Sequence, residues 1–302
     1  MGVSRLAYIG ADATDLGAWK NYATEIMGLQ VAADSTDRRL YLRADERHHR
    51  LSIHAGGDDD ITYVGWDLAS HEALEAAASL LERNGVKVVA GTPDELAERR
   101  VLELASFTCP YSGIRMELTV GNEVAYLPRF TSTRDLSGFV MGDQGLGHVV
   151  LYTQDIRAAA EFYVRTLGFG ISDYVLLPDG SPTGTPIGAF LHCNPRHHSL
   201  AFFALPMSPR GKKMQHLMLE ANSLDDVGAS YDLCLEHKIT KSSLGRHPDD
   251  RGLSYYFHSP SGWLFEYAWK LRTIDPNHWT TEKYLTGATN GWGHKGLYGP
   301  ER

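Results

Sequence analysis

A chain of 302 residues, 43% hydrophobic and 22% charged, has the composition of an ordinary globular protein and the length of about two domains. Its formal charge of -8 and the lack of any basic stripe exclude a nucleic-acid partner, because phosphate binding needs clustered cations. No apolar run reaches the roughly 18 residues that span a membrane, and Met1-Gly2-Val3-Ser4-Arg5 has no signal-peptide core, so a cytoplasmic location is expected.

In chain order, residues 6–10 read as a strand and 12–27 as a helix stopped by Gly28. Strands are predicted near 40–43, 51–54 and 61–68, the last leading through the cap residue Ser70 into a helix closed by Asn84-Gly85. Strands near 86–89, 101–107 and 114–118 complete the first half. The order is strand, helix, strand, strand, strand, twice over. A polar stretch over 125–142, with Pro128 and Gly138, reads as a linker. The second half then repeats the order. A strand over 146–152 runs into a helix carrying Ile156, Ala160, Tyr163 and Leu167 and stopped by Gly168. Strands follow near 188–192, 199–204 and 214–220, and then a helix behind Ser223, with Asp226 placed as in a capping box. The last strands fall near 253–258 and 263–269. The expected domains are 1–135 and 136–302, together an α+β protein of four βαβββ modules.

The repeat holds residue by residue. Met27-Gly28-Leu29 matches Leu167-Gly168-Phe169, and the same offset carries Tyr8 onto His148. Arg47-His48-His49 matches Arg196-His197-His198, and Ser112-Gly113-Ile114-Arg115-Met116-Glu117 matches Ser261-Gly262-Trp263-Leu264-Phe265-Glu266. Superposing the strand-to-helix junctions at Ser70 and Ser223 carries Tyr63 onto His216. The first half thus has tyrosine where the second has two histidines.

A lone histidine in a strand is commonly a hydrogen-bonded core residue, and Glu266 has a counterpart in Glu117. The pair His148 and His216, present in one half only and at equivalent positions, is less easily explained by packing. A carboxylate set among Trp263, Leu264, Phe265 and Tyr267 is costly to bury without a cation. Two imidazoles and one carboxylate are the donor set of a non-heme Fe(II) site with open positions. The three cysteines, Cys109, Cys193 and Cys234, show no CxxC spacing and offer no thiolate zinc site.

Taken with Gly145-Leu146-Gly147-His148, Cys193-Asn194-Pro195-Arg196-His197-His198, His216-Leu217-Met218-Leu219-Glu220, Gly245-Arg246-His247 and Pro260-Ser261-Gly262-Trp263-Leu264-Phe265-Glu266-Tyr267, the chain resembles the type I extradiol ring-cleaving dioxygenases of the vicinal oxygen chelate superfamily. The resemblance runs from Leu6 to about Trp269. It implies paired modules curled into a barrel-like funnel in each domain, with a metal only in the second. It also implies Fe(II), or Mn(II) on the same ligands, held by His148, His216 and Glu266. His198 would be the acid/base that takes a catechol proton and later protonates the leaving oxygen. Tyr256 would donate to a catechol oxygen, with His247 on the same wall. Asp249, Asp250, Val150 and Ala201 match substrate-contacting positions, although Asp249 stands where relatives usually carry asparagine. The implied reaction is extradiol opening of a bicyclic or substituted catechol such as 2,3-dihydroxybiphenyl with O2, in bacterial degradation of aromatic compounds. A dihydroxynaphthalene or monocyclic alkylcatechol is the alternative substrate, and homo-oligomers up to octamers are implied. Rival readings are a glyoxalase-type isomerase or epoxide-opening enzyme on the same scaffold, and a non-catalytic binder of aromatic compounds.

Overall fold

The computed structural model describes residues 2–125, 128–181, 184–286 and 291–297. Module one consists of β1 (Arg5–Ala13), α1 (Leu16–Asn21), β2 (Gln30–Val31), β3 (Arg39–Arg43) and β4 (Leu51–Ala55). The predicted helix starts late because residues 12 and 13 stay in β1, and the Asp15 carboxylate then caps Ala18 N–H. It ends in a π turn, Tyr22–Ile26. Module two has β5 (Ile61–Asp67), α2 (His71–Arg83), β6 (Val89–Ala90), α3 (Pro93–Arg99), β7 (Glu103–Thr108) and β8 (Arg115–Val120). The short α3 was not predicted, although Thr92, Pro93 and Glu95 form a full capping box with proline at the first helical position.

Module three comprises β9 (His148–Thr153), α4 (Ile156–Leu167), β10 (Gly170–Leu177), β11 (Thr185–His192) and β12 (Leu200–Ala204). Module four comprises β13 (Met214–Ala221), α5 (Leu224–Glu236), β14 (Gly245–Arg246), β15 (Leu253–His258) and β16 (Leu264–Trp269). Asp226 does not complete a capping box. Ser223 caps Asp225 N–H instead, and the Asp226 carboxylate accepts from the backbone N–H (2.9 Å) and hydroxyl (2.5 Å) of Ser137, pinning the polar segment between the halves onto α5.

The strands form one eight-stranded sheet, β2-β3-β4-β1-β5-β8-β7-β6, and one ten-stranded sheet. The second repeats the first order as β10-β11-β12-β9-β13-β16-β15-β14, with the tail strands β17 (Glu282–Leu285) beside β10 and β18 (Trp292–Gly293) beside β14. In each sheet the first strands of the two modules meet antiparallel at the centre, and each lies parallel to the last strand of its own module. This order puts residues far apart in sequence on three adjacent central strands.

A single apolar cluster runs through both halves, from Leu6, Trp66 and Leu118 to Val149, Leu217 and Phe265. Helices of one half meet the other half directly. Trp19 packs against Trp263 at 5.2 Å between ring centroids and donates from Nε1 to Ser261 Oγ at 2.9 Å. Phe162 of α4 meets Phe107 at 6.2 Å. Small separate clusters lie elsewhere: Tyr8, Tyr63 and Leu104 in the first half, Val150, Tyr152, Ala201 and Phe203 in the second.

Candidate metal centre

His148 begins β9, and the antiparallel register pairs it with Met218 of β13, which itself pairs with Glu266 of β16. His216 lies two residues before Met218 and so faces the same side of the sheet. The three side chains converge. His148 Nε2 is 3.0 Å from His216 Nε2, and each nitrogen is 3.2 Å from Glu266 Oε2. All three residues are buried.

This near-equilateral triangle fits a cation. With metal–ligand bonds of about 2.1 Å, donors at right angles stand about 3.0 Å apart, whereas tetrahedral donors stand about 3.4 Å apart. The 3.0 and 3.2 Å separations fall within that range, so the three donors can share one cation, and as only three protein ligands they would leave its remaining positions open. Electrostatics agree with that state. Burial holds the His148 imidazole down to about 4, so it is neutral at pH 7. Burial works to raise the Glu266 carboxyl, but the hydrogen bonds and charge of His148 and His216 prevail and hold it well below its ordinary value. His216 Nδ1 contacts Gln215 Oε1 at 2.5 Å; donation along that contact fixes the tautomer that leaves Nε2 as an acceptor. The strand is placed by Gly147, at φ +119°, where a Cβ would lie 2.1 Å from Met218 O in the neighbouring strand.

The equivalent position of the first half contains a built-in cation. Tyr8, Tyr63 and Glu117 occupy the places of His148, His216 and Glu266, in the same register. The tyrosine rings fit because Gly10 and Gly65 carry no side chain; a Cβ there would meet Tyr63 at 2.0 Å and Tyr8 at 2.4 Å. The buried Glu117 carboxylate accepts from Arg99 Nε (2.9 Å) and Nη2 (3.1 Å), Arg115 Nε (2.8 Å) and Tyr8 Oη (2.7 Å). The Arg99 guanidinium lies over the Tyr63 ring at 3.7 Å. Where one half sets two imidazoles against its carboxylate, the other supplies a guanidinium.

The triad opens into a cavity of about 480 Å³, mouth included, lined also by His198, Tyr256, His247, Pro248, Asp249, Asp250, Val175, Phe190, Phe203 and Tyr284. The His198 ring lies 4.0 Å from that of His148, and burial together with the charge of His148 and His197 keeps its imidazole well below its ordinary value. His198 Nδ1 contacts His197 Nδ1 at 3.1 Å, and His197 Nε2 lies 3.0 Å from Oδ2 of buried Asp173. His247 Nε2 is 3.0 Å from Tyr256 Oη, and Tyr256 pairs across the strands with Glu266. Burial, with Asp249 and Glu266 adding like charge, pushes the Asp250 carboxyl up to about 7.

Eight of the ten residues singled out from sequence thus line one cavity. Val150 and Ala201 do not. They are register partners, fully buried, and pack behind the wall that Val175, Phe190 and Phe203 present. Sequence reasoning missed those three and His294 of the tail, whose ring lies 4.2 Å from that of His247. The alternation of small and large apolar residues in β11 and β12 marks an inward face, but nothing in the tail sequence marks His294.

Fold and site together define a metal-dependent enzyme built on a duplicated pair of βαβββ modules. The Glyoxalase/Bleomycin resistance protein/Dioxygenase superfamily model matches residues 145–267, and that of dihydroxybiphenyl dioxygenase BphC D1 matches residues 6–56. The chain is 38% identical to a biphenyl-2,3-diol 1,2-dioxygenase of Pseudomonas sp. over 99% of each chain. It is 37% identical to an iron-dependent extradiol dioxygenase of Rhodococcus jostii over 97% of each. A crystal structure of catechol 2,3-dioxygenase superposes with a TM-score of 0.88 at 36% identity, covering 98% of this chain and 96% of the other. The chain belongs to the extradiol dioxygenases of this superfamily, oxidoreductases of aromatic-compound breakdown, and it uses a metal cofactor.

Proposed function

We propose that this protein opens the ring of a bicyclic or substituted catechol, such as 2,3-dihydroxybiphenyl, beside its hydroxyl pair, with O2 and Fe(II) held by His148, His216 and Glu266. The donor triangle carries the reading, because two imidazoles and one carboxylate would hold Fe(II) through three protein ligands and leave positions for a catechol and O2. When bound, Fe(II) supplies a Lewis acid and an electron relay between ring and oxygen.

The protein groups manage the protons. His198 meets His197 through Nδ1, which leaves its Nε2 as the nitrogen available to substrate. His198 then takes a proton from one catechol hydroxyl and returns it to the leaving oxygen. Because burial keeps it neutral, it is charged only while substrate oxygen charge stands beside it. Tyr256 donates to the other catechol oxygen, positioned by His247. Val175, Phe190 and Phe203 form an apolar wall against which a second ring would pack and exclude water.

The test is anaerobic reconstitution with Fe(II), followed by 2,3-dihydroxybiphenyl in air, watching for the yellow ring-opened product. Absence of colour with monocyclic and bicyclic catechols alike overturns the proposal.

A further inference from the structure

The cavity residues with no metal or proton task divide into two surfaces. Val175, Phe190 and Phe203 form an apolar one, while Pro248, Asp249, Asp250 and Tyr284 form the other. No lysine or arginine lines the cavity among the described residues, whereas the carboxylates of Asp249, Asp250 and Glu266 all do. Asp249 Oδ1 is buried and has no hydrogen-bond partner. The nearby cation does not answer it: Arg272 bonds the Asp249 backbone carbonyl from Nη1 at 2.9 Å, reaches Glu282 Oε2 at 3.6 Å, and places its guanidinium 4.5 Å from the Trp279 ring centroid. Tyr284 gives its proton to Glu282 Oε2 at 2.6 Å, so toward the cavity its hydroxyl oxygen can only accept. This second surface therefore offers acceptors and negative charge without a donor of its own from either residue.

A buried acceptor left without a donor costs free energy that a ligand donor recovers. A ligand carboxylate beside Asp249 would add like charge with no lysine or arginine lining the cavity to offset it. We propose that Asp249, aided by Tyr284, is a specificity residue that selects catechols whose ring substituent is uncharged and carries a hydroxyl or amino donor, and rejects those whose substituent is anionic. The inference rests on the ring-cleavage reading and narrows its substrate class.

The experiment uses the Fe(II)-loaded protein and three kinds of probe: 2,3-dihydroxybiphenyl, its 2′-, 3′- and 4′-hydroxyl derivatives, and the corresponding carboxylates. Anaerobic Kd by tryptophan fluorescence and kcat/KM in air are measured for each. One hydroxylated isomer is expected to bind about tenfold to a hundredfold tighter than the parent, as a hydrogen bond to a charged acceptor provides. Every carboxylate should bind at least about tenfold more weakly than the parent, as close like charges dictate. Asp249→Asn, which keeps an acceptor oxygen without the charge, should relieve the carboxylate penalty and retain part of the hydroxyl preference. Asp249→Leu should abolish both. Equal binding of parent and hydroxylated compounds, or a preference that survives in Asp249→Leu, overturns the inference while leaving ring cleavage standing. If no catechol is opened at all, the ring-cleavage reading falls and the inference falls with it.

Discussion

Replacing Arg99 by methionine tests whether the first half is held by its internal cation. Glu117 is fully buried, and Arg99 supplies two of the four hydrogen bonds its carboxylate accepts. Methionine preserves the apolar stem and removes the charge, leaving the half-exposed Arg115 and the Tyr8 hydroxyl as donors. Breaking a buried ion pair from one side costs about 3–5 kcal/mol, and the contact over Tyr63 adds about 0.5–2 kcal/mol. The remaining donors offset part of this, so a loss of about 3–5 kcal/mol is expected, which lowers Tm by about 6–15 °C for a domain of this size. Pairing Arg99→Met with Glu117→Gln removes the stranded charge and should recover about half of the loss. Urea and thermal unfolding of the four proteins in the cycle give the coupling. Turnover of 2,3-dihydroxybiphenyl at 25 °C should stay within about twofold of wild type, because the separated sites couple weakly. An Arg99→Met protein melting within about 2 °C of wild type, or a double variant less stable than the two losses combined, refutes the reasoning.

Three further outcomes are expected. Glu266→Gln should retain less than a tenth of the wild-type metal after gel filtration, and its metal-free form should melt below metal-free wild type because the carboxylate that His148 and His216 stabilise has been removed; unchanged metal content would show that Glu266 is not a ligand. Gly147→Ala drives a methyl group into the Met218 carbonyl at a positive φ, and should cost about 2–4 kcal/mol and loosen metal retention; wild-type Tm and metal content would contradict the close approach. In the metal-free protein the raised Asp250 carboxyl, at about 7, means that the folded state holds its proton more tightly than the unfolded chain does. Its stability penalty is therefore absent below the unfolded carboxyl range, grows between about pH 4 and 7, and is full above that, reaching up to about 4 kcal/mol. Asp250→Asn, which can keep the acceptor for Gly252 N–H at 2.9 Å, should raise Tm at pH 8 and leave it unchanged at pH 4. An equal effect at both pH values would assign the gain to packing.

The metal triad was legible because the chain is its own control: Tyr8 and Tyr63 show that the strands do not need histidine, so His148 and His216 require another explanation. The strand order made that reading geometric, since β9, β13 and β16 are adjacent. The substrate wall was less legible. Val175 lies in β10, whose residues 172–176 are buried on both faces and lack the alternation that marks an inward side. Tyr284 reaches the cavity only because β17 pairs in parallel with β10, a long-range choice that local pattern does not encode. Val150 and Ala201 were expected to touch substrate because they match substrate-contacting positions of the family the chain resembles; Phe190 and Phe203 are larger and reach the cavity ahead of them. Arg99 sits at the end of a seven-residue helix, and nothing in its spacing tells that its partner is Glu117.

The tail strands have a consequence for how chains behave toward one another. An edge strand presents a row of unsatisfied amides and carbonyls on which a second chain can add. The first sheet ends in two-residue strands, β2 and β6, too short to serve as templates. The second sheet would otherwise end on the eight-residue β10, and β17 covers its Asp173–Leu176 stretch. A protein nicked just before Glu282 would expose that ladder beside the cavity mouth and lose Tyr284 with it. Self-association would then accompany the loss of substrate selectivity, tying colloidal stability to the same four residues that help choose the ligand.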